Sequence, residues 1–447
     1  MPLPVADPDD PDSIGSPRVI GLLTLASIIS AVAIGFLGGA FRWLLEQAVR
    51  GRDALVSWTH DVGGWTWLLP VVMAVAGALI GRAVVGISPR AAGSGIQDVE
   101  AVWRREADPP SAAIVPVKFV GGLASIGVGG LVLGREGPTV HMGSTIGAAV
   151  GRRLGLDDAD RRTLYATVGG AGLAVAFNAP IGGALFALEE VTRTFKVRLT
   201  LITIFCTSIA VACSRLIIGD RPDFIVGPVT VPPLGMLAVF LVFGGLTGLL
   251  GVVYNKLVVS LLTITDRMHR VGPVTRAGLI GAVIGVLLWL DPLTVGGGDQ
   301  LAQLLLTDHP FPFGILVAYL AVRFLVGPLS YTAGTPGGLF APLLAVGALW
   351  GNVFHGLLTP IAPVGESAVP LAIVGMTAFF AATVRAPITG IVLIIEMTAT
   401  TTLTVPMLAA CAAATLVAYL VHGAPVYDSL RERMLGLGSD QPRSGTS

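Results

Sequence analysis

Apolar residues run through the chain in long blocks, at roughly 18–50, 65–87, 112–150, 163–188, 198–218, 231–263, 277–291, 311–329, 338–360, 368–383 and 387–422. Blocks of this kind predict helices that cross a bilayer, for which about 20 residues suffice. Several have the wrong length for simple spans. Some exceed 30 residues, and others are cut by Gly or Pro into pieces of 10 to 15. The pattern therefore predicts an all-α integral membrane protein of tilted and broken helices.

The two halves of the pattern repeat each other. Gly93-Ser94-Gly95 returns as Gly296-Gly297-Gly298, and Gly134-x-x-x-Pro138 with Gly143 and Gly147 returns as Gly338-x-x-x-Pro342 with Gly347 and Gly351. Ala179, Pro180, Gly183 and Glu189 return as Ala386, Pro387, Gly390 and Glu396. Three motifs in one order indicate duplication, and repeats interrupted at corresponding places mark the substrate site of membrane transporters. The motifs leave open whether the repeats run parallel or inverted. They divide the chain into a tail (1–17), a first membrane repeat (18–225), a second (226–427) and a short tail (428–447).

Composition agrees. Of the 447 residues 53% are hydrophobic and 13% charged, against about 25% charged in soluble proteins. Mean hydropathy is +0.80. Lys plus Arg equals Asp plus Glu at 28 each, which gives no pointer to nucleic acid. The 58 glycines suit closely packed membrane helices. Cys206, Cys213 and Cys411 lie in apolar segments without metal spacing and read as small core residues. The acidic, Pro-rich N-terminus is not a cleavable signal peptide and reads as a loose tail. Residues 428–447 are too few for a folded regulatory domain.

The chemistry concentrates at the breaks. Arg135 and Glu136 are the only acidic or basic side chains between Phe119 and Gly151, His141 aside. A charge at membrane depth costs about 2.5–3.5 kcal/mol on insertion scales and is kept mostly where it serves a pathway. Pro138 and Pro342 suit the first turn of a helix, so helix N-termini are predicted beside them, within the membrane. Such ends offer unpaired N–H groups and prefer an anion. Ser94 with Gln97 fits a capping box at another helix start, with Asp98 and Glu100 in the first turn. The Ser94 hydroxyl can accept from a backbone amide and donate to an anion together. From a break at Pro180, Glu189 and Glu190 lie about 15 Å along a helix, at one interface. There they are either solvated charges or proton acceptors at the mouth of a water path. His141, with no partner ligand in view, reads as a satisfied packing histidine. No hydrolase, nucleotide-binding or metal motif is present, so no enzyme is predicted.

Together these residues resemble the CLC family of chloride channels and chloride/proton antiporters. Gly93–Gln97, Gly134–Pro138 and Gly338–Pro342 are similar to its three anion-site motifs, and the resemblance covers roughly residues 18–430. It implies two inverted repeats of about nine helices each, a homodimer in the lipid bilayer, and no cofactor beyond chloride ions as substrate. By this resemblance Ser94 and Tyr427 coordinate the central anion through hydroxyls, and Leu339 and Phe340 through backbone amides. Glu136 becomes an external gate competing with anion beside the first-half helix start at Gly137. Arg135 holds that region electrostatically, and Glu190 is the internal proton glutamate. The implied function is chloride/proton exchange. A passive chloride channel is the alternative, with fluoride or nitrate transport or a non-transporting scaffold ranked lower. Gln97 stands where the family usually has Pro and adds an N–H at that helix start. Lack of a regulatory domain resembles prokaryotic members, placing the chain in a cell membrane, the prokaryotic inner membrane, with cytoplasmic termini. The second repeat has neutral Phe340 at the position matching Glu136, which marks Glu136 as an addition to a duplicated site.

Overall fold

The computed structural model of the chain describes residues 17–436 apart from 228, 230, 231, 269 and 361–364. The predicted N-terminal tail, Pro17 excepted, and residues 437–447 lie outside them. Among the described residues seventeen helices follow one another. The first eight are α1 (Pro17–Val62), α2 (Leu68–Val84), α3 (Ile96–Trp103), α4 (Ile114–Gly122), α5 (Glu136–Arg153), α6 (Asp158–Phe177), α7 (Pro180–Leu185) and α8 (Val197–Ile218). The next eight are α9 (Leu237–Arg267), α10 (Pro273–Leu290), α11 (Asp299–Leu306), α12 (Phe313–Tyr331), α13 (Phe340–Leu358), α14 (Val369–Val384), α15 (Pro387–Thr398) and α16 (Thr404–Leu420). The last is α17 (Val426–Met434). Seven helices are long and apolar enough to cross a membrane, and β-structure among the described residues is limited to two isolated bridges.

The alternation of long and short helices in α1–α8 returns in α9–α16, and the packing returns with it. α1 lies on α8 as α9 lies on α16, and α5 on α6 as α13 on α14, while α2 joins the halves by packing on α10. The repeated glycines explain one of these seams. Gly143 and Gly147 of α5 sit against the carbonyls of Val168 and Leu164, and Gly347 and Gly351 of α13 against those of Gly375 and Leu371. A Cβ at any of the four has no room, so the helices approach at backbone distance.

Some boundaries differ from the hydrophobic pattern. α1 continues twelve residues past its predicted end at 50, through Arg52, Asp53 and His60. Its 46 residues rise about 69 Å, far more than a bilayer core, so it is tilted or projects from the membrane. The block at 387–422 is two helices, parted at Ala399 with φ 50°. α7 widens into a π-helical turn over Phe186–Val191, and α4 into another over Leu123–Val128. Residues after Tyr427 continue in α17 to Met434 instead of forming tail from 428.

Both Ala-Pro breaks are built the same way. Asn178 ends α6 with φ 51° and Arg385 ends α14 with φ 75°, each just before Ala-Pro. Left-handed backbone at a non-glycine residue is costly, more so for Arg than for Asn. Side-chain bonds offset it. Asn178 donates to the Arg221 carbonyl at 2.9 Å and accepts from Arg215 at 2.8 Å, and Arg385 donates to the Gly423 carbonyl at 2.7 Å.

Candidate functional site

The breaks of the two repeats cross in the middle of the molecule. Gly134 and Gly338 exchange both backbone hydrogen bonds, at 2.7 and 2.9 Å, in an antiparallel bridge. Gly93 pairs with the same strand-like segment, donating to the Thr335 carbonyl at 3.0 Å and accepting from Gly337 at 3.1 Å. From this crossing α5 starts at Glu136, α13 at Phe340 and α3 at Ile96. Pro138 and Pro342 are each the third residue of their helix, where the missing N–H is no loss. The helix starts predicted from Gly-x-x-x-Pro are therefore present and converge.

Around that point donors stand without protein acceptors. Ser94 and Tyr427 are fully buried, and neither hydroxyl makes a hydrogen bond within the protein. The backbone amides of Leu339 and Phe340 have no acceptor among the described residues. The Phe340 ring turns away into Phe177 and Phe380, with centroids at 5.0 and 4.4 Å, which frees the backbone side of this turn. Gly137 packs directly on Ser94, whose hydroxyl a Cβ would strike.

The Ser94 turn is held from behind. Lys118 donates to the carbonyls of Gly93 and Ser94 at 2.7 and 2.8 Å, and the Ser94 amide donates to the Tyr331 hydroxyl at 3.2 Å. Only half of the predicted capping box forms. Gln97 Oε1 accepts from the Gly95 amide at 3.1 Å, but the Ser94 hydroxyl caps nothing. The cause is Gly95, whose left-handed φ of 93° makes it the residue that leads into α3 in place of Ser94.

Glu136 is 1% exposed. Its Oε2 accepts from the Ala341 amide at 3.4 Å, and its Oε1 has no partner. The carboxylate thus lies against the second-half helix start, where the resemblance implied the first. Arg135 does not pair with it. Arg135 donates to the Ala176 carbonyl at 3.0 Å and reaches Asp223 at 3.3 Å, and Asp223 also holds Arg42 at 2.7 Å. A cavity of about 290 Å³ reaches Glu136, and its lining is of mixed charge, five arginines that include Arg135 and Arg323 against Glu46, Asp223, Asp299 and Glu136 itself.

The second acidic pair separates into two roles. Glu189 accepts from the amides of Ile388 and Thr389 at 3.1 and 2.6 Å and from the Thr389 hydroxyl at 2.7 Å. Its repeat mate Glu396 accepts from the amides of Ile181 and Gly182 at 3.1 and 2.7 Å. Each carboxylate therefore caps the broken helix of the other repeat, and Glu189 is a structural cap rather than a proton acceptor. Glu190 instead is buried, with Oε1 unpartnered, and its carboxyl meets that of Glu100. Arg431 binds Glu100 at 3.2 Å and Asp428 at 2.7 Å, and Asp428 also takes Arg193 at 2.9 Å and Arg104 at 3.4 Å. The Tyr427 hydroxyl lies between the two ends, within electrostatic range of Glu136, Glu190 and Glu100.

Sequence reasoning missed Glu100 as a partner of Glu190, and Asp223, shared with Arg42, as the partner of Arg135. Glu100 carried a signal, as one of two carboxylates two residues apart on a short helix. Asp223 carried none, because it sits in the link between the repeats. His141 is also unlike its prediction. It is fully buried, neither ring nitrogen makes a hydrogen bond, and Nε2 lies 3.5 Å from Asp98 Oδ1. Among the described residues no group of three or more His, Cys, Asp or Glu is placed to hold a metal.

Duplicated, broken membrane helices whose N-termini and free hydroxyls converge beside an unpaired carboxyl define an ion-transport protein. The sequence profile of the voltage gated chloride channel family matches residues 76–419, and the chain belongs to that family. It is 34% identical over 425 residues to the H(+)/Cl(-) exchange transporter ClcA of Citrobacter koseri, covering 93% of this chain and 89% of the relative. The protein of the same name from Klebsiella pneumoniae is 34% identical over 424 residues, with the same coverage. The crystal structure of a slow cyanobacterial Cl−/H+ antiporter superposes with a TM-score of 0.86 at 29% identity, over 93% of this chain and 99% of that one. A CLC-type fluoride/proton antiporter, 22% identical with a TM-score of 0.74, shares the fold.

Proposed function

We propose that the chain exchanges chloride for protons across a cell membrane. One observation carries the reading: the Glu136 carboxylate rests on a helix start, beside donors that have no acceptor in the protein. An ionised carboxylate there is itself an anion, so it competes with chloride for that position. Once protonated it loses its attraction to the helix end and vacates the position. Chloride occupancy and protonation of Glu136 are thereby linked. Partial charges from helix ends and hydroxyls, without a full counter-charge, let the ion leave as readily as it binds. Ser94, Tyr427 and the amides of Leu339 and Phe340 supply them in this reading, with Arg135 holding the outer rim through Asp223. Gly137 gives Ser94 the room it needs.

Protons reach the opposite side through Glu190, which Glu100 and the Arg431–Asp428 cluster connect to the surface bearing Arg104 and Arg193. Positive residues concentrate there, at Arg152, Arg153, Arg161, Arg162 and Lys196, and this surface is cytoplasmic by the positive-inside rule. The cavity that reaches Glu136 faces outward. A second copy of the chain is the natural partner. Ile181, Leu201, Ile204, Ile388, Val405 and Leu416 are exposed apolar residues of α7, α8, α15 and α16, of which α7 and α15 carry the reciprocal Glu396 and Glu189 caps. The division into repeats at 225/226, the prokaryotic inner membrane as location and cytoplasmic termini belong to the same proposal. Glu136→Gln in liposomes tests it. The amide can neither carry a proton nor compete as an anion, so chloride flux continues while proton flux stops. Proton-coupled exchange that survives the substitution overturns the assignment.

A further inference from the structure

We propose that His141 and Asp98 form a second proton-binding site behind the central chloride position, and that its protonation tightens chloride binding. The inference rests on the reading of Ser94 as a chloride ligand.

A buried polar group without a partner calls for an explanation, and His141 has two. Its ring lies over Gly95, the residue next to Ser94, so closely that a Cβ there would enter the imidazole. Behind the ring, Asp98 Oδ1 stands 3.5 Å from Nε2. Asp98 is a well-anchored carboxylate, taking two bonds from Arg90 at 2.7 and 2.9 Å and one from the Tyr165 hydroxyl at 3.0 Å. A neutral ring leaves this arrangement one proton short of an ion pair. A protonated ring completes it, with the anchored carboxylate as its counter-ion.

The charged and titratable groups around the ring are few. Asp98 comes from α3, Arg90 from the turn before it, Lys118 from α4 and Tyr165 from α6. Glu136 lies on α5 itself, five residues toward the outer cavity. Arg90 is 37% exposed at its side chain, so Asp98 is one residue from water.

Protonation adds one positive charge beside the Ser94–Gly95 turn. A unit charge acting over about 8 Å at an effective dielectric of about 20 changes affinity by about 30-fold. Linkage requires the reverse effect, so chloride binding draws a proton onto His141.

The test is chloride titration calorimetry on the full-length protein carrying E136Q and E190Q, which removes both proposed proton glutamates. Between pH 8 and pH 5 chloride binding tightens by about 10- to 30-fold, and comparison of buffers with different ionisation enthalpies shows proton uptake on binding. Adding H141Q abolishes the uptake and flattens the profile at its pH 8 affinity. Adding D98N, which removes the counter-ion, moves the profile to lower pH, and this variant decides the matter should H141Q fail to fold. Affinity independent of pH in the E136Q/E190Q protein, or a dependence that neither H141Q nor D98N alters, overturns the proposal. Absence of any chloride binding refutes the Ser94 reading instead.

Discussion

Replacing Glu189 by Ala removes an acceptor that three donors share. The Ile388 and Thr389 amides are the first free N–H groups of α15, and the Thr389 hydroxyl has the same acceptor. The hydroxyl can rotate to another acceptor, but the amides are fixed by the helix. An orphaned buried donor costs about 1–3 kcal/mol, and the lost attraction between a carboxylate and a helix N-terminus adds about 0.5–1 kcal/mol. Ile388 is half exposed, which reduces its share, so the sum is about 3 kcal/mol. Glu189→Gln keeps the oxygen that serves Thr389 but sets an NH2 group against the Ile388 amide and removes the charge, for about 1–2 kcal/mol. Denaturant unfolding of the detergent-solubilised protein, followed by circular dichroism, measures both. The expected order of stability is wild type, Glu189→Gln, Glu189→Ala, with Glu396→Ala matching Glu189→Ala through the repeat. If Glu189→Ala unfolds at the same midpoint as the wild type, the reciprocal caps contribute nothing and the argument fails.

Ser94→Ala and Tyr427→Phe each remove one hydroxyl donor and are expected to weaken chloride binding about 5- to 10-fold, as read by calorimetry. Gly134→Ala places a methyl group where the Glu136 carboxyl lies, at a residue whose φ is not left-handed. It should expel the carboxyl from the α13 start, raise chloride affinity and reduce the protons moved per chloride in liposome flux. Arg135→Gln leaves both Asp223 and the Ala176 carbonyl with Arg42 as their remaining guanidinium partner, the latter at 3.3 Å. A loss of about 2–3 kcal/mol in unfolding and a steeper decline of chloride uptake at low external chloride are expected.

Much of this architecture follows from local chemistry and could be read from the residues. Gly-x-x-x-Pro places a helix start wherever it falls, and its recurrence at Gly134 and Gly338 announces a duplicated site. Gly143, Gly147, Gly347 and Gly351 mark helix seams for the same local reason. What escaped depends on the crossing of the repeats. Nothing near Glu189 in the chain shows that it will cap a helix beginning at Pro387, or that Glu396 will cap one beginning at Pro180. The Arg135–Asp223 and Glu190–Glu100 pairs are long-range in the same sense. Ser94 misled because its spacing to Gln97 satisfies a capping box. The left-handed Gly95 between them shifts the helix start by one residue and leaves the hydroxyl free. His141 misled in the opposite direction, because a lone histidine in an apolar run gives no sign that its nitrogens will lack partners.

The central claim is that proton and chloride movements are obligatorily linked through Glu136. Liposomes containing the wild-type protein, loaded with high chloride and diluted into low chloride at equal pH, test it directly. The account predicts that chloride efflux drives protons inward against their growing gradient, detected as external alkalinisation, and that Glu136→Gln liposomes lose chloride without moving protons. Chloride efflux from wild-type liposomes with no accompanying proton uptake would contradict it and leave a passive chloride channel on the same fold.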